Sequence, residues 1–122
     1  MTTKCFLFVY GMLKPNISPP RSTSDHWSDA IQGELYDIGD YPAAINTHKN
    51  SNIIEGFLVE IDQDELLILD DYEDVDSGEF RRILVDTKLG HAAWVYEYCL
   101  ALPKDAKLIS NWEAKASSPR YS

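Results

Sequence analysis

Residues 4–10, Lys-Cys-Phe-Leu-Phe-Val-Tyr, place apolar side chains on both faces of a single β-strand. Successive strand side chains point to opposite sides, so Cys5, Leu7 and Val9 form one set and Phe6, Phe8 and Tyr10 the other. A strand of this kind is stable only when covered on both faces. That excludes a fold built on one sheet with one wet side. Gly11 ends the strand. Residues 14–25 contain three prolines and several small polar residues and are predicted to be a loop. Further strands are expected over 31–36, 43–46, 53–61, 80–85 and 92–100, separated by turn chemistry such as Asp37-Ile38-Gly39-Asp40 and Lys88-Leu89-Gly90.

The pattern changes at Asp62. Asp62-Gln63-Asp64-Glu65 has a favourable N-cap residue followed three positions later by Glu, the capping-box arrangement. Leu66, Leu67, Leu69 and Tyr72 line one broad helical face, so a helix is expected over 62–73. A second, short helix is expected over 106–114. These elements predict an α+β fold: a small mixed, largely antiparallel β-barrel with one main helix between the fourth and fifth strands.

With 122 residues, the chain is expected to form a single domain, 1–122, able to build a core without metal or disulfide staples. Eleven basic residues against twenty acidic ones give a net charge of −9, which argues against nucleic acid and anionic membrane surfaces as partners. No apolar run approaches the ~18–20 residues that span a bilayer, and no cleavage pattern follows the N-terminal apolar run. A cytoplasmic protein is expected. Cys5 and Cys99 lie in apolar segments without a Cys-x-x-Cys spacing and read as two reduced core thiols. His26, His48 and His91 lack metal-ligand spacing and read as surface or loop residues, so no metal and no cofactor is expected.

Ten of the twenty acidic residues fall between Glu60 and Glu79, a window without Lys or Arg. A calcium loop is excluded, because Leu66 and Leu67 occupy the positions that need an oxygen ligand and a glycine. Two readings remain: a solvated acidic face for most of the run, and one inward carboxylate whose burial raises its pKa toward neutrality, making a general base. Glu73 is best placed for the second. It ends the expected helix four residues after Leu69, at the rim of the apolar face.

Phe8-Val9-Tyr10-Gly11-Met12-Leu13-Lys14 resembles the Tyr-Gly-Thr/Ser-Leu signature of the gamma-glutamylcyclotransferase-like family. Further blocks agree in order: Gly33-Glu34-Leu35-Tyr36 leading to Tyr41-Pro42-Ala43, Ile54-Glu55-Gly56, Leu69-Asp70-Asp71-Tyr72-Glu73, Phe80-Arg81-Arg82 and Ala93-Trp94-Val95-Tyr96. The resemblance implies a small β-barrel with a cavity between the first-strand loop and the helix end. It implies cyclisation of a small-molecule gamma-glutamyl substrate to 5-oxoproline with release of an amine or amino acid. Glu73 takes the position of the family's general base, and Tyr10, Gly11, Met12 and Leu13 that of its substrate-cradling loop. Arg82 is a candidate for the substrate carboxylate, against the competing reading of an ion pair with a neighbouring acid.

Three positions depart from the family pattern. Met12 replaces a small hydroxyl residue, Asp74 stands where Gly is common, and Phe80 replaces Tyr. None removes the candidate base. The leaving group stays open among an α-amino acid, a lysine side-chain amine, a small amine and a glutathione-derived moiety; the oligomeric state and a lid role for loop 14–25 stay open as well. Met12 favours the alternative of a non-catalytic small-molecule-binding or interaction domain on the same scaffold.

Overall fold

The computed structural model describes residues 3–39, 41–46, 52–73 and 75–112. The first strand, β1 (Lys4–Val9), lies at the centre of a five-stranded sheet. The chain then forms β2 (Asp25–Gln32), β3 (Glu34–Asp37), β4 (Pro42–Ile45), β5 (Ile53–Asp62), α1 (Glu65–Tyr72), β6 (Phe80–Asp86), β7 (Ala92–Tyr98) and β8 (Lys107–Ile109). The large sheet runs β2-β5-β1-β7-β6 and the small one β4-β3-β8. β1 pairs with β7 in parallel, and the other pairs among the described residues are antiparallel.

The two apolar sets of β1 separate as their alternation requires. Leu7 and Val9 join Val59, Ile61, Leu66, Leu69, Phe80 and Tyr96 in a cluster that includes α1. Phe8 and Tyr10 join Ile31, Leu35, Ile54, Leu58, Val95 and Trp112 on the other side. Each such side chain, once fully buried, contributes about 1.5–3 kcal/mol, so covering both faces is what commits β1 to the centre.

The expected closed barrel is not formed. The large sheet keeps β2 and β6 as its edges, and the run expected over 31–36 breaks into two strands at Gly33. A Cβ at Gly33 would lie 2.7 Å from the Ile45 carbonyl oxygen. The missing side chain lets the chain turn there, so β3 pairs with β4 and β8 instead of extending the large sheet. The sheet does curl. Lys88 N donates to Ala30 O at 2.8 Å, and Leu89 N donates to Asp29 Oδ1 at 3.2 Å, bringing the β6–β7 turn onto β2.

Other expectations are corrected as well. The helix starts at Glu65 rather than 62, because Asp62 is the last residue of β5, laddered to Lys4 and ion-paired with its Nζ at 2.6 Å. Asp64 takes the N-cap position without a side-chain cap bond. Leu66 and Leu69 are buried, whereas Leu67 and Tyr72 are 73% and 48% exposed, so the apolar face is narrower than the sequence pattern indicates. In place of a helix over 106–114, the described part forms β8 against β3; residues 113 and 114 lie outside the described residues. Cys5 is half-buried and its thiol pKa is pushed up by burial, while Cys99 is exposed past the end of β7 and not in the core. No described helix is long and apolar enough to cross a membrane.

Candidate active site

Glu73 follows the last turn of α1 at its C-cap and is 2% exposed. Its N–H donates to Leu69 O at 2.9 Å, which fixes the backbone from which the carboxyl projects. Burying a carboxylate is costly unless its surroundings are organised for it. Those surroundings include the polar group one turn earlier. Asp70 accepts from Arg82 twice, Nε to Oδ1 at 2.7 Å and Nη2 to Oδ2 at 3.0 Å, and from the Tyr96 hydroxyl at 2.8 Å.

Arg82 and Tyr96 are directly opposite each other on β6 and β7, so one register position supplies both partners of Asp70. The Arg82 guanidinium also lies 4.4 Å from the Trp94 ring centroid. Burial first, then the hydrogen bond to Asp70 and the charges of Asp70 and Glu73, push the Tyr96 phenol far above its ordinary pKa, against the opposing pull of Arg82. Tyr96 is therefore a neutral hydrogen-bond donor beside two acids.

The motif loop reaches the same region from β1. Tyr10 is fully buried, and its hydroxyl donates to Tyr96 O at 2.5 Å. Leu13 packs in the cluster that holds Leu69 and Tyr96, whereas Met12 packs with Tyr10 and Phe8 on the opposite side of the sheet. The added bulk at Met12 is thus directed away from the α1 cluster. Within the turn, Lys14 N donates to Gly11 O at 3.1 Å and Ser18 N to Met12 O at 2.9 Å. These bonds use carbonyls, and among the described residues the N–H groups of Gly11, Met12 and Leu13 take no part in the turn's own bonding.

Gly56 permits this arrangement. A Cβ there would lie 2.3 Å from the Val9 carbonyl oxygen, so a side chain would force β5 away from the strand that presents the loop. Leu13 and Leu69 also line a cleft of about 170 Å³ with Pro19, Pro20, Ile68 and Tyr72.

Among the sequence-derived candidates, Glu73 lies beside Tyr96 and Leu13 packs in the same cluster, Tyr10 reaches the Tyr96 carbonyl from the opposite cluster, Gly11 and Met12 continue the same turn, and Arg82 is engaged by Asp70. Asp74 lies outside the described residues. The sequence reading missed Asp70 as the centre of this network. Its signal was its spacing, one helical turn before Glu73. Among the described residues no group of three His, Cys, Asp or Glu side chains is disposed to hold a metal ion.

Residues 7–114 match the family described as gamma-glutamyl cyclotransferase, AIG2-like. A search of curated proteins finds no match. Among solved structures, an AIG2-like protein of Mus musculus superposes with a TM-score of 0.71 at 20% identity, covering 90% of this chain and 88% of that one. Protein ytfP of Escherichia coli gives a TM-score of 0.61 at 25% identity over 89% and 93% of the two chains. A structure named gamma-glutamyl cyclotransferase gives 0.58 at 15% identity over 87% and 72%.

Proposed function

Because the chain belongs to the gamma-glutamyl cyclotransferase, AIG2-like family, we propose that it cyclises a small gamma-glutamyl amide to 5-oxoproline with Glu73 as acid and base. The observation that carries this reading is a glutamate 2% exposed at the end of α1, next to a tyrosine held neutral.

The chemistry moves two protons from the substrate's α-nitrogen to the departing nitrogen. The α-ammonium of the substrate must lose a proton before it can attack, and Glu73 accepts it. The freed amine adds to the γ-carbonyl and closes the five-membered ring. Glu73 then gives that proton to the departing nitrogen as the C–N bond breaks, and the second proton of the ring nitrogen follows by the same carboxylate, so a neutral lactam ring and an amine that leaves as its ammonium are formed. Nucleophile and carbonyl belong to one molecule, so the site chiefly holds the folded-back conformer. The N–H groups of Gly11, Met12 and Leu13 are the donors for the charge that develops on the carbonyl oxygen. Arg82 is placed to hold Asp70 rather than to meet a substrate carboxylate, since both oxygens of Asp70 already occupy it.

The test is 5-oxoproline release from a panel of gamma-glutamyl amino acids and gamma-glutamyl amines, with Glu73→Gln alongside. Release by the wild type that the variant loses supports the reaction and its base, and the panel ranks the leaving groups. No release from any member by the folded wild type turns the reading to a binding domain on the same scaffold.

A further inference from the structure

Three rings meet on the face of the large sheet that turns away from α1. Phe6 of β1 stands edge-on to Trp27 of β2, with 5.9 Å between centroids and 74° between planes. His91, in the β6–β7 turn, lies 5.1 Å from Phe6 and nearly parallel to Trp27, at 6.5 Å and 18°. Phe6 is half-buried against the cluster of Phe8 and Leu58, whereas Trp27 is 40% exposed and His91 is exposed. Strand register sets two acids beside these rings. Phe6 is opposite Glu60 on β5, and Glu60 is opposite Asp25 on β2. Residues directly opposite each other share a face, and Trp27, two positions from Asp25, shares it too. Asp25 accepts from His26 N at 2.8 Å and Glu60 from the Ser24 hydroxyl at 3.1 Å. Among the described residues neither acid is in an ion pair, and Lys4, the next residue on that face of β1, is paired with Asp62 at 2.6 Å. Like charges directly opposite in a sheet are destabilising, and a cation held between them removes that cost.

We propose that this surface binds a small organic cation through an N-methylated ammonium group, with its methyl groups against the rings and its charge toward Asp25 and Glu60. The chemistry of the surface sets that class. An aromatic face attracts a cation through its quadrupole, most strongly at Trp, and the rings offer apolar surface to methyl groups. A calcium or magnesium ion needs about six oxygen ligands, and the two carboxylates do not supply them. A carboxylate or phosphate close to the ammonium would meet Asp25 and Glu60, so a cation without a neighbouring anion fits best. The net charge of −9 gathers such cations toward the protein.

The experiment titrates the whole chain, labelled with ¹⁵N, with choline. Parallel titrations use 3,3-dimethyl-1-butanol, which has the same shape with carbon in place of the charged nitrogen, and phosphocholine, which adds an anion. Choline is expected to give saturable shifts of the Trp27 indole N–H and of the Phe6, Asp25, Glu60 and His91 amides. The other two compounds are expected to bind at least about fivefold more weakly. Trp27→Leu and Glu60→Gln are each expected to weaken choline binding about fivefold, the scale of one cation–π contact at a partly exposed site. Glu55→Gln removes the same charge from the other face of β5 and is expected to leave binding unchanged. The absence of saturable shifts in the wild-type chain overturns the proposal even should Trp27→Leu fail to fold. Equal binding of dimethylbutanol or phosphocholine overturns it, as does an equal loss in Glu55→Gln and Glu60→Gln, which would trace the binding to net charge alone.

Discussion

Glu65 opens α1 and Glu73 follows its last turn, and the fold uses the two carboxyls in opposite ways. Glu65 reaches back to the loop before β2: it accepts from Arg21 N at 2.9 Å, from Ser22 N at 3.0 Å and from the Ser22 hydroxyl. Ser22 Oγ in turn accepts from Asp62 N at 2.9 Å, so this end of the helix is tied to the end of β5 through backbone groups. Glu65 is half-buried and satisfied by groups that water can replace. Glu73 is sealed beside Tyr96 and Asp70 in the core between α1 and the sheet. The two ends of one short helix thus hold one glutamate bound by donors of a loop and one buried beside Tyr96.

The sharpest way to break this contrast is to make the same change at both ends. Glu73→Gln is expected to lower turnover of a gamma-glutamyl substrate by about 10²–10⁴-fold, the span of a lost general acid–base group. Glu65→Gln is expected to leave turnover within about twofold. Steady-state rates of 5-oxoproline release from both variants, with circular dichroism to show that each is folded, decide between them. Equal losses would mean that neither end is special.

The next largest effect concerns Asp70, which separates support from chemistry at the same end of α1. Asp70 and Arg82 are each about one-fifth exposed, so this is a partly desolvated bidentate pair. Asp70→Asn removes the charge that holds Arg82 and is expected to cost about 1–3 kcal/mol, read as a Tm lower by several degrees. Its turnover is expected to fall less than that of Glu73→Gln. A variant as inactive as Glu73→Gln but unchanged in Tm would move the chemistry to Asp70.

Tyr96 gives a pH signature that belongs to this end alone. Its pKa is raised in the folded state, so the stability it contributes is complete below the ordinary tyrosine value near 10. Above that pH the unfolded chain releases the phenolic proton while the folded chain retains it, and stability falls. Tyr96→Phe is expected to lose about 1 kcal/mol at neutral pH, the worth of its bond to Asp70. It should also flatten the fall in Tm between about pH 9.5 and 11. Melting curves across that range check both, and an unchanged alkaline slope would show that Tyr96 is not the group responsible.

The difference between the two ends was only half legible in the sequence. The double-faced apolar pattern of residues 4–10 foretold a strand covered on both faces, and the structure keeps Leu7 and Val9 apart from Phe8 and Tyr10 as that pattern requires. Glu73 was legible through its block, and its burial agrees with an inward carboxylate. The helix start was not legible, because Asp62 and Glu65 satisfy a capping box on paper while β5 pairing with Lys4 claims Asp62. Nor was the first half of β2, where His26, Trp27 and Ser28 are exposed on an edge strand and show no alternation. Asp29 was not singled out in the sequence, and one of the bonds that hold its carboxylate comes from Leu89, sixty residues away in the chain. Local pattern reports what a segment prefers; long-range pairing decides what it does.

The smallest effect is expected at the tied end. Glu65→Ala removes three hydrogen bonds at once, yet the donors left behind are not equally stranded: Arg21 and its loop are exposed, and water can take the place of the carboxylate there. The Ser22 hydroxyl keeps its bond from Asp62 N. The net cost should therefore be about 1 kcal/mol, far less than three bonds counted separately, because the exchange is between protein and water rather than between protein and nothing. Chemical denaturation should show a lower midpoint with an unchanged m-value, since no extra surface is exposed in the native state. A reduced m-value would show instead that the loop at 18–22 comes loose from α1 when Glu65 is removed. The cleft it shares with Leu13 and Leu69 would then depend on the outer glutamate as much as on the buried one.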